Sequence, residues 1–129
     1  EARKKKLQAR QEVVDEAFNK TLEKLNSLPD KEYEEIISRM VVSSIESGSE
    51  EIILSPRDKQ RISAGFIEGI NKKLSQRGID GKIRLSEETK NISGGFILKS
   101  GNIEINNSFE AVIRMKREEV EAEVIKALF

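Results

Sequence analysis

One stretch, residues 93–110, constrains the fold more than any other part of the chain. Two short apolar runs, 96–98 and 103–105, lie on either side of a Ser-Gly-Asn sequence, which is the pattern of a β-hairpin. The second run leads into Asn107, and Glu110 follows three residues later, a spacing typical of a capped helix start. This hairpin segment therefore predicts a strand, a tight turn, a second strand and then the C-terminal helix.

The rest of the chain alternates helical and extended patterns. We predict helices at 1–28, 31–47, 56–76 and 108–129, further strands at 51–54 and 82–85, and a polar loop at 86–91. A helix connects the first two strands, and such a connection favours parallel pairing. We therefore expect an α+β protein, a two-layer α/β arrangement in which a four-stranded mixed sheet is packed with helices and preceded by a long protruding N-terminal helix.

The domain boundary is predicted at Pro29, because proline cannot continue a helical hydrogen-bond ladder. Residues 1–28 are expected to be a helical stalk segment, the C-terminal end of a coiled-coil helix, and residues 29–129 a globular α/β head domain. The sequence begins at Glu1, inside a predicted helix, so we expect that part of a longer helix precedes it.

Composition excludes several classes of function. Lys plus Arg and Asp plus Glu number 23 each, and a chain with no excess positive charge is a poor general ligand for nucleic acid or for a membrane surface. The chain has no Cys and no His, which removes disulfides, thiolate chemistry and the commonest general base and metal ligand. We expect a cytoplasmic protein without a membrane-spanning segment, a cofactor, a metal or catalytic residues.

The predicted N-terminal helix carries a narrow row of apolar side chains at helical spacing, here called the N-terminal stripe. Its members are Leu7, Val14, Phe18, Leu22 and Leu25. A narrow stripe between charged flanks is typical of a helix that pairs with a partner helix. The alternative is that the stripe packs on the chain's own domain, and the spacing alone leaves both arrangements open.

Motifs that carry chemistry are absent from the sequence. The glycines satisfy neither the dinucleotide-binding nor the Walker pattern, and Gly94-Gly95 is better explained by a bend or bulge at the start of a strand. Pairs of adjacent glutamates do not face each other on a helix, so they are better explained by solvated surfaces than by shared protons or metals.

RNA binding is the alternative from another functional class. The stretch 72–84 is rich in Lys and Arg, and small α/β domains commonly bind RNA. An RNA-recognition sheet presents stacking aromatics, however, whereas Phe96 lies in an apolar run that is expected to fill the core.

The hairpin segment and the chain end together carry a Gly-Gly strand, a short turn, an Asn-Asn-Ser-Phe-Glu signature and a terminal Leu-Phe. These residues are Gly94, Gly95, Asn106, Asn107, Ser108, Phe109, Glu110, Leu128 and Phe129. This combination resembles the E subunit of V-type and archaeal A-type ATPases. Stators of flagellar type III export are a related alternative.

The resemblance implies a structural role without bond chemistry. It implies the C-terminal part of a peripheral-stalk subunit whose upstream helix pairs with a helical G-type subunit, also called H, and whose globular end attaches to the A/B head. Such a stalk resists rotor torque, so that ATP turnover remains coupled to proton or sodium transport. The protein would be cytoplasmic and peripheral to the membrane, as part of a membrane-bound complex.

Overall fold

The computed structural model describes residues 2–128, apart from the side chains of Val124 and Leu128. Within that range the elements are, in chain order, α1 (Ala2–Asn26), α2 (Asp30–Ser44), β1 (Glu51–Leu54), α3 (Pro56–Arg61), α4 (Phe66–Gln76), β2 (Arg84–Thr89), β3 (Gly95–Ser100), β4 (Ile103–Ser108) and α5 (Phe109–Leu128). The predicted order is confirmed, except that the long helix predicted at 56–76 is two helices. Phe129, predicted as the last helical residue, lies outside the described residues.

The four strands form one mixed sheet in the order β2-β1-β3-β4. β1 pairs in parallel with β2 and antiparallel with β3, and β3 pairs antiparallel with β4 across the predicted hairpin. Gly101, in the hairpin turn, has a φ of +61°. The predicted fold class, with its mixed sheet and N-terminal helix, is therefore confirmed.

The core lies between one face of the sheet and the helices α2 and α4. The apolar faces of both helices are buried, with Tyr33, Ile37 and Leu74 each at 0% exposure. Phe96 from β3 is also fully buried, as the sequence predicted. These side chains form one continuous apolar cluster that reaches Phe109 at the start of α5.

The helix predicted at 56–76 is interrupted after Arg61. Ile62 has an extended backbone (ψ 146°) at the end of α3, and α4 begins after Gly65. The Ser63 N–H donates to Glu34 Oε1 on α2 instead of continuing the helical ladder. Serine and glycine have low helix propensity, so this tertiary contact is enough to break the helix, and α4 begins again against α2.

α2 ends at Ser44, earlier than predicted, because a buried carboxylate binds the following backbone. Glu50, 6% exposed, accepts hydrogen bonds from the N–H groups of Glu46 and Gly48, at 2.9 and 2.8 Å, and from the Ser47 hydroxyl at 2.8 Å. Burial alone would raise the pKa of the Glu50 carboxyl, but these hydrogen bonds lower that pKa to about 2.

Glu50→Gln should therefore cost stability in a pH-dependent way. The folded-state pKa lies below the ordinary value of 4.5, so the ionised carboxylate stabilises the fold above that pH and loses its effect as the pH falls toward 2. We expect the variant to be less stable by about 2–3 kcal/mol at pH 7 and nearly equal to wild type near pH 2, measured by urea unfolding. Glu46→Gln, an exposed change in the same turn, is the control, and a Glu50→Gln deficit that is equally large at all pH values would contradict the prediction.

The second strand lies further along the chain than predicted. β2 spans Arg84–Thr89, so most of the stretch predicted as a polar loop at 86–91 is strand. β2 is an edge strand whose backbone pairs with β1, and an edge position leaves polar side chains in solvent. Backbone pairing, which the side-chain pattern does not record, extends this strand.

Candidate interaction surface

The N-terminal helix lies against the C-terminal helix in antiparallel orientation. Asp15, in the middle of α1, forms an ion pair with Arg117 of α5, which also pairs with Glu121 at 3.0 Å. At the other end, Asn26 and Phe109 both lie beside Gly94, so the end of α1 is next to the start of α5. The two helices, here called the helix pair, therefore lie side by side with opposite chain directions.

Every residue of the N-terminal stripe is half-buried. This set is Leu7, Val14, Phe18, Leu22 and Leu25. Leu22 and Leu25 pack against the domain core, whereas no residue of α1 is fully buried. Part of the stripe therefore packs on the chain's own domain, which was the alternative arrangement. All five side chains still keep some solvent-exposed surface.

α5 is also apolar beyond the face that meets α1. Met115 and Ile125 are 60% and 46% exposed, and they lie about 80° apart around the helix axis. Val120 and Ala127 line an open groove of about 520 Å³ next to Arg10 of α1. Exposed apolar groups therefore occur on more than one side of the helix pair.

Two glycines of the hairpin segment allow close packing where β3 begins. Gly94 and Gly95 have φ angles of +85° and +81°, which favour glycine. A Cβ on Gly95 would lie 2.6 Å from the Asn107 carbonyl oxygen, and one on Gly94 would lie 2.8 Å from the Phe109 ring. The start of β3 can therefore lie directly against the β4–α5 junction.

The cap of α5 differs from the predicted Asn107–Glu110 pair. Ser108 is fully buried, and its Oγ accepts a hydrogen bond from the Ala111 N–H at 3.2 Å, which caps the helix. Asn106 Oδ1 accepts from the Ser108 N–H at 3.0 Å. α5 begins one residue later than the predicted cap requires, because the β3–β4 pairing continues to Ser108.

Glu110 connects the start of α5 to the loop before β3. Its two carboxylate oxygens accept from the Ser93 N–H and the Ser93 hydroxyl, both at 2.8 Å. Burial acts to raise the pKa of Glu110, and these hydrogen bonds, with one from Ser108, lower it overall. Of the other signature residues, the Asn107 side-chain nitrogen is buried without a hydrogen-bond partner among the described residues, and Leu128 is the last residue of α5.

Two arginines of α3 hold the end of α1. Arg61 donates to the Leu28 carbonyl at 2.8 Å and pairs with Asp30 at 2.8 Å, while Arg57 donates to the Asn26 carbonyl at 3.3 Å. Cations stabilise the carbonyl end of a helix, which carries partial negative charge. This arginine joint therefore fastens α1 and the α1–α2 turn to the sheet domain.

The arginine joint continues into the core through Tyr33. The Arg61 guanidinium lies 4.4 Å from the centre of the Tyr33 ring and pairs with buried Asp58 at 3.2 Å. Tyr33 donates its hydroxyl to Asp58 at 2.5 Å and accepts from the Gly95 N–H at 3.2 Å. Burial, together with the Asp58 hydrogen bond, raises the pKa of Tyr33. One polar network thus joins α2, α3 and β3 at the point where α1 meets the domain.

Sequence reasoning missed the arginine joint. Arg57 and Arg61 follow an ordinary capped helix start, in which Ser55 accepts from the Asp58 N–H at 3.1 Å, and nothing in that local pattern marks either arginine. The partners of Arg61 lie about 30 residues earlier in the chain, at Leu28 and Asp30. The nearest sequence signal is Pro29, which marks the end of the first helix but not what holds it.

Among residues 2–128, no group of three or more acidic side chains is arranged to hold a metal ion. None of the described helices is both long and apolar enough to cross a membrane.

The fold and the surface together define an α+β domain from which an antiparallel helix pair extends. The sequence profile of the ATP synthase (E/31 kDa) subunit family matches residues 1–129, and the chain belongs to that family. The family resemblance inferred from the hairpin segment is therefore confirmed.

Curated relatives bear matching names. The E subunit of the V-type ATP synthase from Acetivibrio thermocellus is 90% identical over 106 residues, which cover 82% of this chain and 54% of the relative. The protein of the same name from Clostridium botulinum is 45% identical over 127 residues, covering 98% and 64%. The E subunit of the V-type proton ATPase from Thermoanaerobacter pseudethanolicus is 41% identical over 126 residues, covering 98% and 63%. The chain thus spans between about half and two thirds of the length of these relatives.

Proposed function

We propose that this chain is the C-terminal part of a non-catalytic peripheral-stalk subunit of a V/A-type rotary ATPase. Family membership supports the assignment to the complex, and one structural observation supports the role. That observation is the long α1, which contributes no fully buried residue and whose apolar stripe remains partly exposed. A helix of this kind gains stability by binding another helix.

We propose the partners that the family resemblance implies. The helix pair binds a helical G-type (H) subunit, and the sheet domain attaches to the A/B head. The stalk holds the head against rotor torque, which keeps ATP turnover coupled to proton or sodium transport. The chain itself binds no cofactor and no nucleic acid, and it lies at the cytoplasmic side of the membrane-bound complex without entering the bilayer.

The geometry of the helix pair supports a third helix as the partner. Two helices in contact leave the outer parts of their apolar stripes in solvent, and Val14 and Phe18 are half-buried in this way. A third helix lying along these residues would remove that area from water, at roughly 25 cal/mol for each Å² of apolar surface. α1 is about 37 Å long, so the contact extends over several helical turns.

Replacing both Val14 and Phe18 with Asp should abolish pairing with the G-type partner. Two carboxylates in the half-buried stripe would have to lose water on binding without a partner for their charge. The measurement is co-purification of this chain, carrying an affinity tag, with the co-expressed G-type protein, and we expect the partner to be lost.

Val13→Asp is the matched control, because Val13 is on the same helix but 67% exposed and off the stripe. This variant should retain the partner. Thermal unfolding of each chain alone separates loss of binding from loss of fold. If the double variant still co-purifies with the partner at the wild-type level, the N-terminal stripe is not the interface.

A further inference from the structure

A basic groove lies between α2 and α4, and none of its lining residues belongs to the helix pair. It has a volume of about 430 Å³. Its lining residues are Arg39, Val42, Ser43, Lys73, Gln76 and Arg77. Three of these six are cations and none is acidic, although the chain as a whole has equal numbers of acids and bases.

The cations of the basic groove lack acidic partners among the described residues. No carboxylate oxygen lies within ion-pair distance of Arg39, Lys73 or Arg77 there. Lys73 donates one hydrogen bond, to Ser38 Oγ at 3.1 Å, which leaves its charge uncompensated. By contrast, Arg84 and Arg117 elsewhere on the surface each have a carboxylate partner. The groove therefore concentrates positive charge that the fold itself does not neutralise.

The chemistry of the groove suits carboxylates held on a protein chain. Two guanidinium groups offer the planar fork that binds a carboxylate with two hydrogen bonds. Ser43 and Gln76 add neutral donors. The groove is thus equipped for an acidic side chain.

Single-stranded RNA fits this groove less well. Recognition of unpaired bases relies on aromatic side chains for stacking, and no aromatic residue lines the groove. The rings of Tyr33, Phe66 and Phe96 are buried in the core, so none of them is available to bases at the surface.

We propose that the basic groove between α2 and α4 binds an acidic segment of a protein partner. Its lining residues are not those of the proposed helix interface, so either proposal can fail without the other. The attraction is electrostatic and largely exposed, so the affinity falls as salt concentration rises.

The test uses the whole chain and a fluorescein-labelled deca-glutamate peptide, with binding measured by fluorescence anisotropy. We expect binding at low salt and a loss of about tenfold or more in the double variant Arg39→Gln/Arg77→Gln. Both arginines are exposed, so an unchanged melting temperature is expected to show that the variant folds. The charge-matched control is Lys4→Gln/Lys6→Gln on exposed α1, which should bind the peptide as wild type does.

Three results would overturn the proposal. The first is that wild type does not bind the peptide at low salt. The second is an equal loss of affinity in both double variants, which would mean that peptide binding depends on the net charge of the chain and not on the groove. The third is a labelled deca-uridine RNA that binds more tightly than the peptide and loses affinity in the Arg39→Gln/Arg77→Gln variant, which would assign the groove to nucleic acid.

Discussion

Phe109→Ala is expected to lower the free energy of unfolding by about 3–5 kcal/mol, because it removes a large ring from a closely packed site. Phe109 is 2% exposed, and its ring packs edge-on against Tyr33 with 5.9 Å between ring centres. The ring also lies close to Gly94, which has no side chain. Alanine would leave a cavity at the meeting point of β3, α2 and α5, and urea unfolding at neutral pH measures the loss.

Met115→Ala is the matched control for Phe109→Ala. Met115 is on the same helix and is 60% exposed, so its truncation should change stability by no more than about 0.5 kcal/mol. If both variants lose similarly small amounts of unfolding free energy, the result would contradict the position of Phe109 in the core.

Arg61→Met should cost about 3–5 kcal/mol, because it leaves a buried carboxylate without its cation. Asp58 is 2% exposed and pairs with Arg61 at 3.2 Å, and the Arg61 side chain is itself 13% exposed. The substitution also removes the hydrogen bond to the Leu28 carbonyl that fastens the end of α1. Urea unfolding gives the magnitude, and hydrogen exchange over 20–28 should show faster exchange at that end of α1.

A double variant separates the charge effect from packing. In Arg61→Met/Asp58→Asn no buried charge is left unpaired, so the loss should be smaller than for Arg61→Met alone. Arg57→Met, which removes a single hydrogen bond of 3.3 Å on the exposed side of the arginine joint, should cost about 1 kcal/mol or less. A double variant as unstable as the single one would mean that the carboxylate of Asp58 does not depend on Arg61.

The arginine joint also bears on the proposed stalk. If α1 continues into a rod that resists torque, force passes between the rod and the sheet domain where Arg57 and Arg61 hold the carbonyl end of α1. The Asp15–Arg117 ion pair is a second attachment, further along the helix pair. A helix that is attached at two points along its length resists bending better than a helix that is attached only at its end.

Much of the fold could be predicted from local patterns. The hairpin at β3 and β4 follows from two apolar runs around a Ser-Gly-Asn turn, and the buried face of α2 follows from helical periodicity. Two of the errors occurred where a side chain bound backbone N–H groups. Glu50 ends α2 by binding the N–H groups of Glu46 and Gly48, and Glu34 binds the Ser63 N–H at the break between α3 and α4.

The candidate interaction surface could also be predicted only in part. The N-terminal stripe was visible in the sequence because it repeats at helical spacing, and the family could be inferred from the hairpin segment. The element that packs against α1 could not be predicted, because periodicity identifies an apolar face but not its partner. The contact of α1 with α5 joins Asp15 to Arg117, which are 102 positions apart.

Turn chemistry and spacing within short segments were enough to predict the order of the elements, the mixed sheet, the apolar faces and the family. Three further features are determined only by the tertiary structure. α1 lies antiparallel to α5, Arg61 holds the α1–α2 turn, and three cations line one groove between α2 and α4. These features depend on which distant residues come together in space, and no local pattern records the energy of such contacts.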